Sequence, residues 1–417
     1  MGTTLHMPQQ IAPFLKALSV TAAFAVLLAV LNLSACATFK PGSLDQLTIR
    51  DRAVTLEKDG LRVSTAVLSR TEAKQLFGAN LHKRGVQPVW LEIENKTDKP
   101  FWLMLHGIDP NYFSAHEVAY MNHFSFSGKA NKEMDNFFAD MGINPGIKPG
   151  DTQSGFAFSN ETIGTKEVRV KLFSNKDVRD FTFFISIPGY ESAWDKTDLQ
   201  HVFAESELIR VETEQELFDA LMALPCCTQR ERGNTAGAPI NVALIGVIAS
   251  LKALIRAGWD ETEFLTDLST LFGAAYLYGR SPDIQFEKTR RRISSTTQLR
   301  LWLSPIRYKG KAVAVGSIMR DIDPKVDEAA IYLLEDLGAA GTVERFGFVG
   351  GVGKVSKDNP RKSLGNTPYW TKGNRIVLLI TETPTALNDV TVFDWDWSEK
   401  RVLSTNPTSD HAAGQEH

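Results

Sequence analysis

The sequence predicts a mixed fold, in which an N-terminal all-β immunoglobulin-like sandwich is followed by an α+β domain. Three observations support this prediction. The 417 residues, 43% of them hydrophobic and 23% charged, are ordinary for a globular protein and long enough for two domains. The stretch 47–192 shows apolar alternation broken by turn residues, which is typical of strands. From about residue 205 the helical and strand patterns alternate, as in α+β domains.

A targeting segment precedes the folded part. Lys16 supplies a positive charge, and the apolar run 17–31 that follows is too short for a comfortable bilayer span. The motif Leu-Ser-Ala-Cys at 33–36 resembles a bacterial lipobox, because small residues fit a narrow peptidase groove and the cysteine thiol can be diacylated. We predict a signal peptide over 1–35, cleavage before Cys36 and lipid on that cysteine. The alternative is an uncleaved N-terminal anchor.

The residue after the cysteine predicts which membrane carries the anchor. In enteric-type sorting an Asp at this place retains a lipoprotein at the inner membrane, and this chain has Ala37. We therefore expect attachment to the outer membrane, with the protein facing the periplasm. A linker over 36–46 would join the anchor to the first domain, and two or three acyl chains would hold it firmly.

Turn residues separate the predicted strands of the sandwich, which is assigned to 47–192. Alternating apolar residues lead into the turn at 95–100, after which a second apolar run follows. Such spacing favours antiparallel sheets of the immunoglobulin-like kind, with a partly helical excursion over 108–141. The expected strands are 89–94, 101–105, 154–158, 166–173 and 181–187.

Caps and apolar faces mark the helices of the second domain, which is assigned to 205–395 and followed by a polar tail over 396–417. Thr213 with Glu216 makes a capping box, and Asp323 with Pro324 at the first helical position predicts another helix start. The tripeptide Tyr-Lys-Gly at 308–310 predicts a hairpin. We expect helices after Thr213, over 247–257 and from Asp323 to Gly338, and strands over 240–245, 298–303, 311–319, 343–349 and 375–381.

Six short motifs follow one another in this second domain. They are Leu224–Cys227, Gly233–Asn241, Gly279–Asp283, Leu299–Trp302, Arg320–Asp327 and Tyr332–Leu337. Together they make residues 205–395 similar to the LssY C-terminal domain family. The resemblance implies a domain without an established activity, which often accompanies a membrane domain of the phosphatidic-acid-phosphatase type. In this chain a sandwich and a lipid anchor take the place of that membrane domain.

The sequence departs from the family at two places that bear on catalysis. Relatives often carry histidines just before the Leu-Arg-Leu-Trp stretch and again before the Ile-Asp-Pro stretch. Here those places hold Thr-Thr-Gln at 296–298 and Met-Arg-Asp at 319–321. The most obvious titratable groups are therefore missing, which weakens an enzymatic interpretation.

Three further motifs resemble metal or phosphate sites but lack a required residue. Beside His116, the zinc-protease helix would need a second histidine where this chain has Tyr120. The acidic stretch 321–327 has Lys325 at a ligand position of a calcium loop and no glycine after it. The glycine-rich stretch 350–354 lacks the first glycine of a phosphate loop and the final Ser or Thr. We therefore expect no metal, no cofactor and no catalytic residue.

The neighbouring Cys226 and Cys227 are the only cysteines besides Cys36. They could supply a nucleophile or form a redox pair, but no adjacent base would activate either thiol. In an oxidising periplasm we predict a disulfide between the two, with two buried free thiols as the alternative.

A candidate ligand pocket is predicted from arginine and carboxylate residues that surround an aromatic side chain. Arginine binds anions in a bidentate way, so these residues could line a pocket for an anion or a lipid headgroup. The alternative is that they form salt bridges at the rim of the sheet. The residues are Arg280, Asp283, Arg300, Trp302, Arg320, Asp321, Glu335 and Asp336.

The function predicted from the sequence is that of a membrane-anchored bacterial lipoprotein acting as a binding or envelope-accessory module. The alternative is an enzyme or accessory subunit that acts on lipid or phosphate-ester substrates. We expect a membrane as partner through the anchor, together with an anionic lipid headgroup or another envelope protein. The net charge of −3 argues against nucleic acid.

Overall fold

The computed structural model describes residues 38–190, 198, 202–230, 233–262, 275–290, 295–362 and 368–395. The predicted signal peptide, Cys36 and the polar tail lie outside these residues. The described part is rich in strands, contains six helices and confirms a mixed fold, with a β-sandwich followed by an α+β region. The predicted domain boundaries stay predictions.

Two four-stranded antiparallel sheets form the sandwich. Their strands are β1 (Val54–Lys58), β2 (Leu61–Val67), β3 (Val86–Asn95), β4 (Phe101–Met104), β5 (Gly146–Ile147), β6 (Thr152–Asn160), β7 (Thr165–Ser174) and β8 (Asp177–Ser186). The first sheet has the order β1-β2-β3-β6 and the second the order β5-β4-β7-β8. Alternate side chains, such as Val89 and Leu91 of β3 and Val168 and Val170 of β7, meet in a shared core. The immunoglobulin-like assignment stays a prediction.

The predicted turn after β3 carries the chain from the first sheet to the second, so β3 and β4 do not pair. Asn95, which is fully buried, holds this crossing. Its Nδ2 donates to the main-chain oxygens of Lys99 (2.7 Å) and Lys148 (3.1 Å), and its Oδ1 accepts from the Thr97 N–H (3.0 Å). A buried amide with its hydrogen bonds made can stabilise the crossing, where an unpaired one would be costly.

Three helices cover the outer face of the first sheet, namely α1 (Arg70–Phe77), α2 (Ala115–Met121) and α3 (Gly128–Met141). Ser69 and Ser114 begin α1 and α2 with capping boxes. Phe77 of α1 packs against Phe138 of α3 and Phe156 of β6, with ring centres 4.9 and 5.3 Å away. The predicted helical excursion over 108–141 is therefore confirmed, and it forms a second apolar layer outside the sandwich core.

The second region is built on one large mixed sheet, with two small separate sheets beside it. The elements of the second region are β9 (Ile209–Val211), α4 (Glu214–Met222), β10 (Cys227–Arg230), β11 (Gly233–Pro239), β12 (Val242–Ile245), α5 (Val247–Arg256), β13 (Asp260–Glu261), β14 (Ile284–Arg290), β15 (Ser295–Tyr308), β16 (Lys311–Arg320), α6 (Val326–Ala339), β17 (Val343–Val349), β18 (Arg361–Lys362), β19 (Pro368–Tyr369), β20 (Arg375–Ile380) and β21 (Thr391–Val392). The order of the large sheet is β13-β14-β15-β16-β12-β20-β17-β21, with β9 beside β15. In the two small sheets, β10 pairs with β11 and β18 pairs with β19.

Helices cover both faces of this sheet. Val242 and Leu244 of β12 pack in the core under α5 and α6, whereas Ala243 and Ile245 pack on the side of α4. Because successive side chains of a strand point to opposite faces, a strand buried on both sides is apolar throughout. The sequence pattern of β12 predicts this burial, and the structure confirms it.

The predicted hairpin is present, and its turn explains the register. Tyr308 pairs with Lys311, so the loop is Lys309-Gly310, and both loop residues have positive φ (47° and 77°). Two such residues define the type I′ turn whose twist suits a two-residue hairpin.

The predicted start of α6 is wrong by two residues. The helix begins at Val326, with Lys325 as its N-cap, and Asp323 accepts instead from the Lys325 N–H (2.9 Å). The Pro324 oxygen accepts from the Trp370 N–H (2.8 Å), which pairs this segment with a distant loop. This tertiary hydrogen bond holds Asp323 and Pro324 outside the helix, although their residue types favour a helix start at this position.

The two regions contact each other through the second sheet of the sandwich. Arg256 at the end of α5 pairs with Glu167 of β7 at 2.8 Å, and both side chains are largely buried. Phe184 of β8 packs against the core under α5 and α6. A buried ion pair and an apolar contact thus fix this junction.

Candidate functional site

The eight residues of the predicted pocket do not come together. Arg300 of β15 lies opposite Ser317 of β16, three residues before Arg320. Arg300 therefore shares its face of the sheet with Trp302, in the core on the side of α4, and Arg320 shares its face with Ile318, in the core under α5 and α6. The two arginines lie on opposite faces, so the prediction of one pocket containing both is wrong.

Arg280, Asp283 and Trp302 form a structural cluster. Arg280 donates to both carboxylate oxygens of Asp283 (3.1 and 2.9 Å), and its guanidinium lies 4.8 Å from the ring centre of Phe203. Asp283 also accepts from the Leu303 N–H (2.7 Å), and the Trp302 indole donates to the Arg280 oxygen (3.1 Å). These groups satisfy one another inside the fold, as in the salt-bridge alternative.

The other aspartates also have partners within the fold. Asp321 accepts from the Ser295 hydroxyl (2.8 Å). Asp336 pairs with Lys288 (2.6 Å) and accepts from the Trp259 indole (2.7 Å). Lysine, not arginine, is thus the cation beside Asp336.

Three members of the predicted set remain, and each has a different environment. Arg320 donates to the Thr297 hydroxyl (3.2 Å), and its guanidinium lies 4.9 Å from the ring centre of Tyr332. Glu335 is exposed on α6. Burial lowers the pKa of Arg300.

A disulfide joins Cys226 to Cys227, and a buried arginine that belongs to no sequence motif lies close to it. Arg375 is fully buried and donates to the main-chain oxygens of Ile240 (2.8 Å) and Pro225 (3.1 Å). Burial lowers its pKa to about 10. Its only signal in the sequence is a cation at the start of an apolar run. The oxidation state of the cysteines in the exported protein stays a prediction.

A cleft of about 490 Å³ lies between the sandwich and the second region, and we call it the interdomain cleft. Segments far apart in the chain form its walls, including the start of α1, the end of β6, β13 and β14. Clefts of this size between domains are common ligand sites. The polar and apolar side chains that line it include Arg70, His82, Gln87, Glu161, Ile163, Ile187, Tyr190, Asp260, Glu261 and Glu287.

A histidine and a glutamate are paired on the sandwich side of this cleft. His82 Nδ1 lies 2.9 Å from Glu161 Oε1, and the same oxygen accepts from Arg70 (2.6 Å). Because an ionised carboxylate only accepts hydrogen bonds, Nδ1 donates to Glu161, and in the neutral form of the ring Nε2 is a hydrogen-bond acceptor. The His82 side chain is only 6% exposed, and its Nε2 has no hydrogen-bond partner. The cleft wall thus holds a buried acceptor that the fold leaves unused.

Two like charges face each other on the opposite wall. Asp260 of β13 and Glu287 of β14 are directly paired across the strands. Burial raises the pKa of Glu287, and the nearby Asp260 carboxylate raises it further. Like charges directly opposite on antiparallel strands destabilise a sheet. A positive charge placed between the two carboxylates would therefore reduce their repulsion and stabilise this wall.

A buried lysine lies behind the wall that the sandwich contributes to the cleft. Lys166 is 5% exposed, and its Nζ donates to the Asn160 oxygen (2.8 Å) and the Thr162 hydroxyl (3.0 Å). Burial lowers its pKa to about 8, against the opposing effect of nearby carboxylates. Strongly perturbed groups around one cleft are typical of functional sites.

No pattern in the sequence indicates the interdomain cleft. Its residues come from positions 69 to 287 and form no motif. Within the described ranges, no group of three or more His, Cys, Asp or Glu residues could hold a metal ion. The lining presents hydrogen-bond acceptors and carboxylates, an arrangement suited to a ligand that donates hydrogen bonds and carries positive charge.

Comparison with known proteins confirms the predicted resemblance. A family model described as LssY C-terminus matches residues 221–374. No curated protein matches the chain. In the part of the chain that the structure describes, no helix is long and apolar enough to cross a membrane. The matched segment contributes β13 and β14 to the interdomain cleft, and the sandwich contributes the other wall.

Proposed function

Starting from the match of residues 221–374 to the LssY C-terminus family, we propose that this protein is a lipid-anchored envelope protein that binds a cationic ligand in the interdomain cleft. The ligand carries an ammonium or guanidinium group, such as that of a lysine or arginine side chain on another envelope protein. The anchor is lipid on Cys36, and the protein faces the periplasm from the outer membrane.

One observation carries the binding proposal, namely that the cleft has excess negative charge and an unused acceptor. Four carboxylates line it (Glu161, Asp260, Glu261 and Glu287), against the guanidinium of Arg70 in the lining and the ammonium of Lys166 behind it, which lies near Asp260 and Glu161. A bound cation would reduce the repulsion between Asp260 and Glu287 and could donate a hydrogen bond to His82 Nε2. The repulsion supports binding because a ligand that removes it gains that free energy on association.

The same charge disfavours the alternative of an enzyme acting on phosphate esters. Such substrates are anions, and proteins usually bind them with arginine, lysine or main-chain N–H groups. At the predicted pocket, Arg280 is already paired with Asp283 within the fold. Neither the interdomain cleft nor the pocket predicted from the sequence therefore favours an anionic substrate.

A binding experiment tests the ligand class. Lysine methyl ester serves as the probe, norleucine methyl ester as the match that lacks the side-chain ammonium, and glycerol phosphate as the anion. We expect calorimetric binding of the lysine ester by the wild-type protein, several-fold weaker binding by Glu287→Gln, and no binding of the phosphate. Tighter binding of glycerol phosphate than of the lysine ester would overturn the proposal.

A separate experiment tests the anchor. The wild-type chain should incorporate labelled palmitate in a bacterial host, and Cys36→Ser should lose the label and stay uncleaved. Cys226→Ser is the matched control, since it removes a thiol outside the lipobox. Full labelling of the Cys36→Ser protein would refute lipid attachment at this residue.

A further inference from the structure

The described chain starts close to the predicted lipid, on the helical side of the sandwich. Phe39 is buried, and its ring packs edge-on against Phe137 of α3, with ring centres 5.7 Å apart. The Gly42 N–H donates to the Leu76 oxygen of α1 (2.9 Å), so this segment is fixed to both helices. Only three peptide units separate Cys36 from Phe39, which limits their distance to about 11 Å.

Exposed aromatic side chains lie on this same helical side. Tyr120 at the end of α2 is 69% exposed, and Phe126 in the loop before α3 is fully exposed. Phe126 also has φ of 61°, which is strained for a bulky residue without a glycine's freedom. Neither packing nor backbone preference explains a fully exposed phenylalanine at this position.

These aromatic residues lie within reach of the surface that holds the anchor. Helix α3 runs from Gly128, beside Phe126, to beyond Phe137, and the helix rise places these two ends about 14 Å apart. Aromatic side chains at a membrane interface, whether amphipathic like Tyr120 or wholly apolar like Phe126, add apolar burial to a lipid anchor. Lys129, almost fully exposed at the start of α3, would lie at the level of the headgroups.

A second exposed apolar patch lies on the far side of the sandwich. Trp102, Phe173 and Val178 form one row across β4, β7 and β8, on the outer face of the second sheet. Two packed sheets and a helical layer place this row about 20 Å from the helical side. A tether of three peptide units at Phe39 therefore cannot bring both patches to the same membrane.

From this geometry we infer that the α2–α3 side of the sandwich lies against the lipid surface, with Phe126 and Tyr120 inserted at the interface. This inference rests on the proposed anchor at Cys36. The occupant of this face is the bilayer that carries the anchor. The row containing Trp102 faces away from that bilayer. The protein therefore lies on the membrane in one fixed orientation and does not tumble freely on a flexible tether.

The test uses the full lipidated protein in vesicles of phosphatidylethanolamine and phosphatidylglycerol that contain a nitroxide-labelled acyl chain. An environment-sensitive fluorophore is attached, without reduction, to Phe126→Cys or to Val178→Cys as the matched exposed control. The wild-type protein treated with the same reagent reports labelling of the native cysteines. We expect several-fold stronger quenching at position 126 than at 178. Tyr120→Cys should be quenched more strongly than the control.

The possible failures can be distinguished. Weak quenching at 126 in protein that floats with the vesicles and carries its acyl chains would overturn the orientation and leave the anchor intact. Equal quenching at 126 and 178 would likewise show that the protein has no fixed face. If mass spectrometry finds no acyl chain on the wild-type protein, both the anchor and the orientation are refuted. Because Phe126 is fully exposed, its substitution should leave the unfolding temperature unchanged.

Discussion

Two hydrogen-bonded pairs of polar side chains in this molecule differ in whether the fold satisfies all of their buried polar atoms. Asp283 accepts hydrogen bonds from both Arg280 and the Leu303 main chain, so the pair is complete. The pair of His82 and Glu161 leaves His82 Nε2 buried without a partner. The first pair belongs to a motif visible in the sequence, and the second belongs to none. The residues that form a recognisable sequence motif therefore have a structural role. The candidate site is instead marked by a buried atom without a hydrogen-bond partner.

Two aspartates of the second region differ in the charge of the side chain beside them. Asp336 lies beside Lys288 and the Trp259 indole, both of which stabilise its charge. Asp260 accepts from the Ile163 N–H (3.2 Å) but lies opposite Glu287, another carboxylate. If the interdomain cleft binds a cation, removing charge there should cost ligand affinity and little stability, whereas removing Asp283 or Asp336 should cost stability alone.

The largest effect is expected for Asp283→Ala. This change leaves the Arg280 guanidinium and the Leu303 N–H without their buried acceptor, and removal of one partner of a buried ion pair costs about 3–5 kcal/mol. Denaturant unfolding measures the loss, with Glu335→Gln as the exposed control on α6. A loss below about 1 kcal/mol, as for an exposed pair, would contradict the structural role.

The next largest effect concerns Lys166 and alkaline pH. Its pKa in the folded protein is about 8, below the ordinary value of 10.5, so the unfolded chain binds more protons between these values. The free energy of unfolding should therefore rise from pH 8 to 10.5, by about 3 kcal/mol in all, and be independent of this group below pH 8. Lys166→Met should remove this rise. Parallel pH profiles of the two proteins would show that Lys166 is not buried as described.

A smaller effect of opposite sign is expected for Glu287→Gln. Because the pKa of Glu287 is raised, the folded protein prefers the protonated form, and stability is lost as the pH rises through that pKa. The variant should therefore match or exceed the wild-type stability at neutral pH, by up to about 1 kcal/mol. Asp336→Asn is the matched control and should be less stable than wild type. A destabilised Glu287→Gln would mean that this carboxylate has a structural partner.

Local chemistry explains which parts of the fold were predictable. The hairpin at Lys309-Gly310 and the capping box of Thr213 depend only on neighbouring residues, and both are present. The start of α6 was mispredicted because Pro324 pairs with Trp370, nearly fifty residues away. No local rule reports such a partner.

The candidate site could not be predicted either, because it also depends on contacts between residues that are far apart in the sequence. His82 and Glu161 are 79 residues apart, and Asp260 and Glu287 come from the second region. Only the packing of the sandwich against β13 and β14 brings them to one cleft. The predicted pocket failed on register, since a strand places Arg300 and Trp302 on the face opposite to Leu301, and the partner strand places Arg320 with Leu301.

The imidazole of His82 offers the most direct measurement of cleft binding. In nitrogen-15 spectra of the histidine side chains, His82→Asn assigns the His82 signals, and the exposed His116 serves as the remote control. Addition of lysine methyl ester should shift the Nε2 signal of His82 in the wild-type protein and leave the His116 signals in place, because the cation would donate to the unused acceptor in the cleft. Saturable binding of the ester without any change at His82 Nε2 would contradict a ligand site in the interdomain cleft.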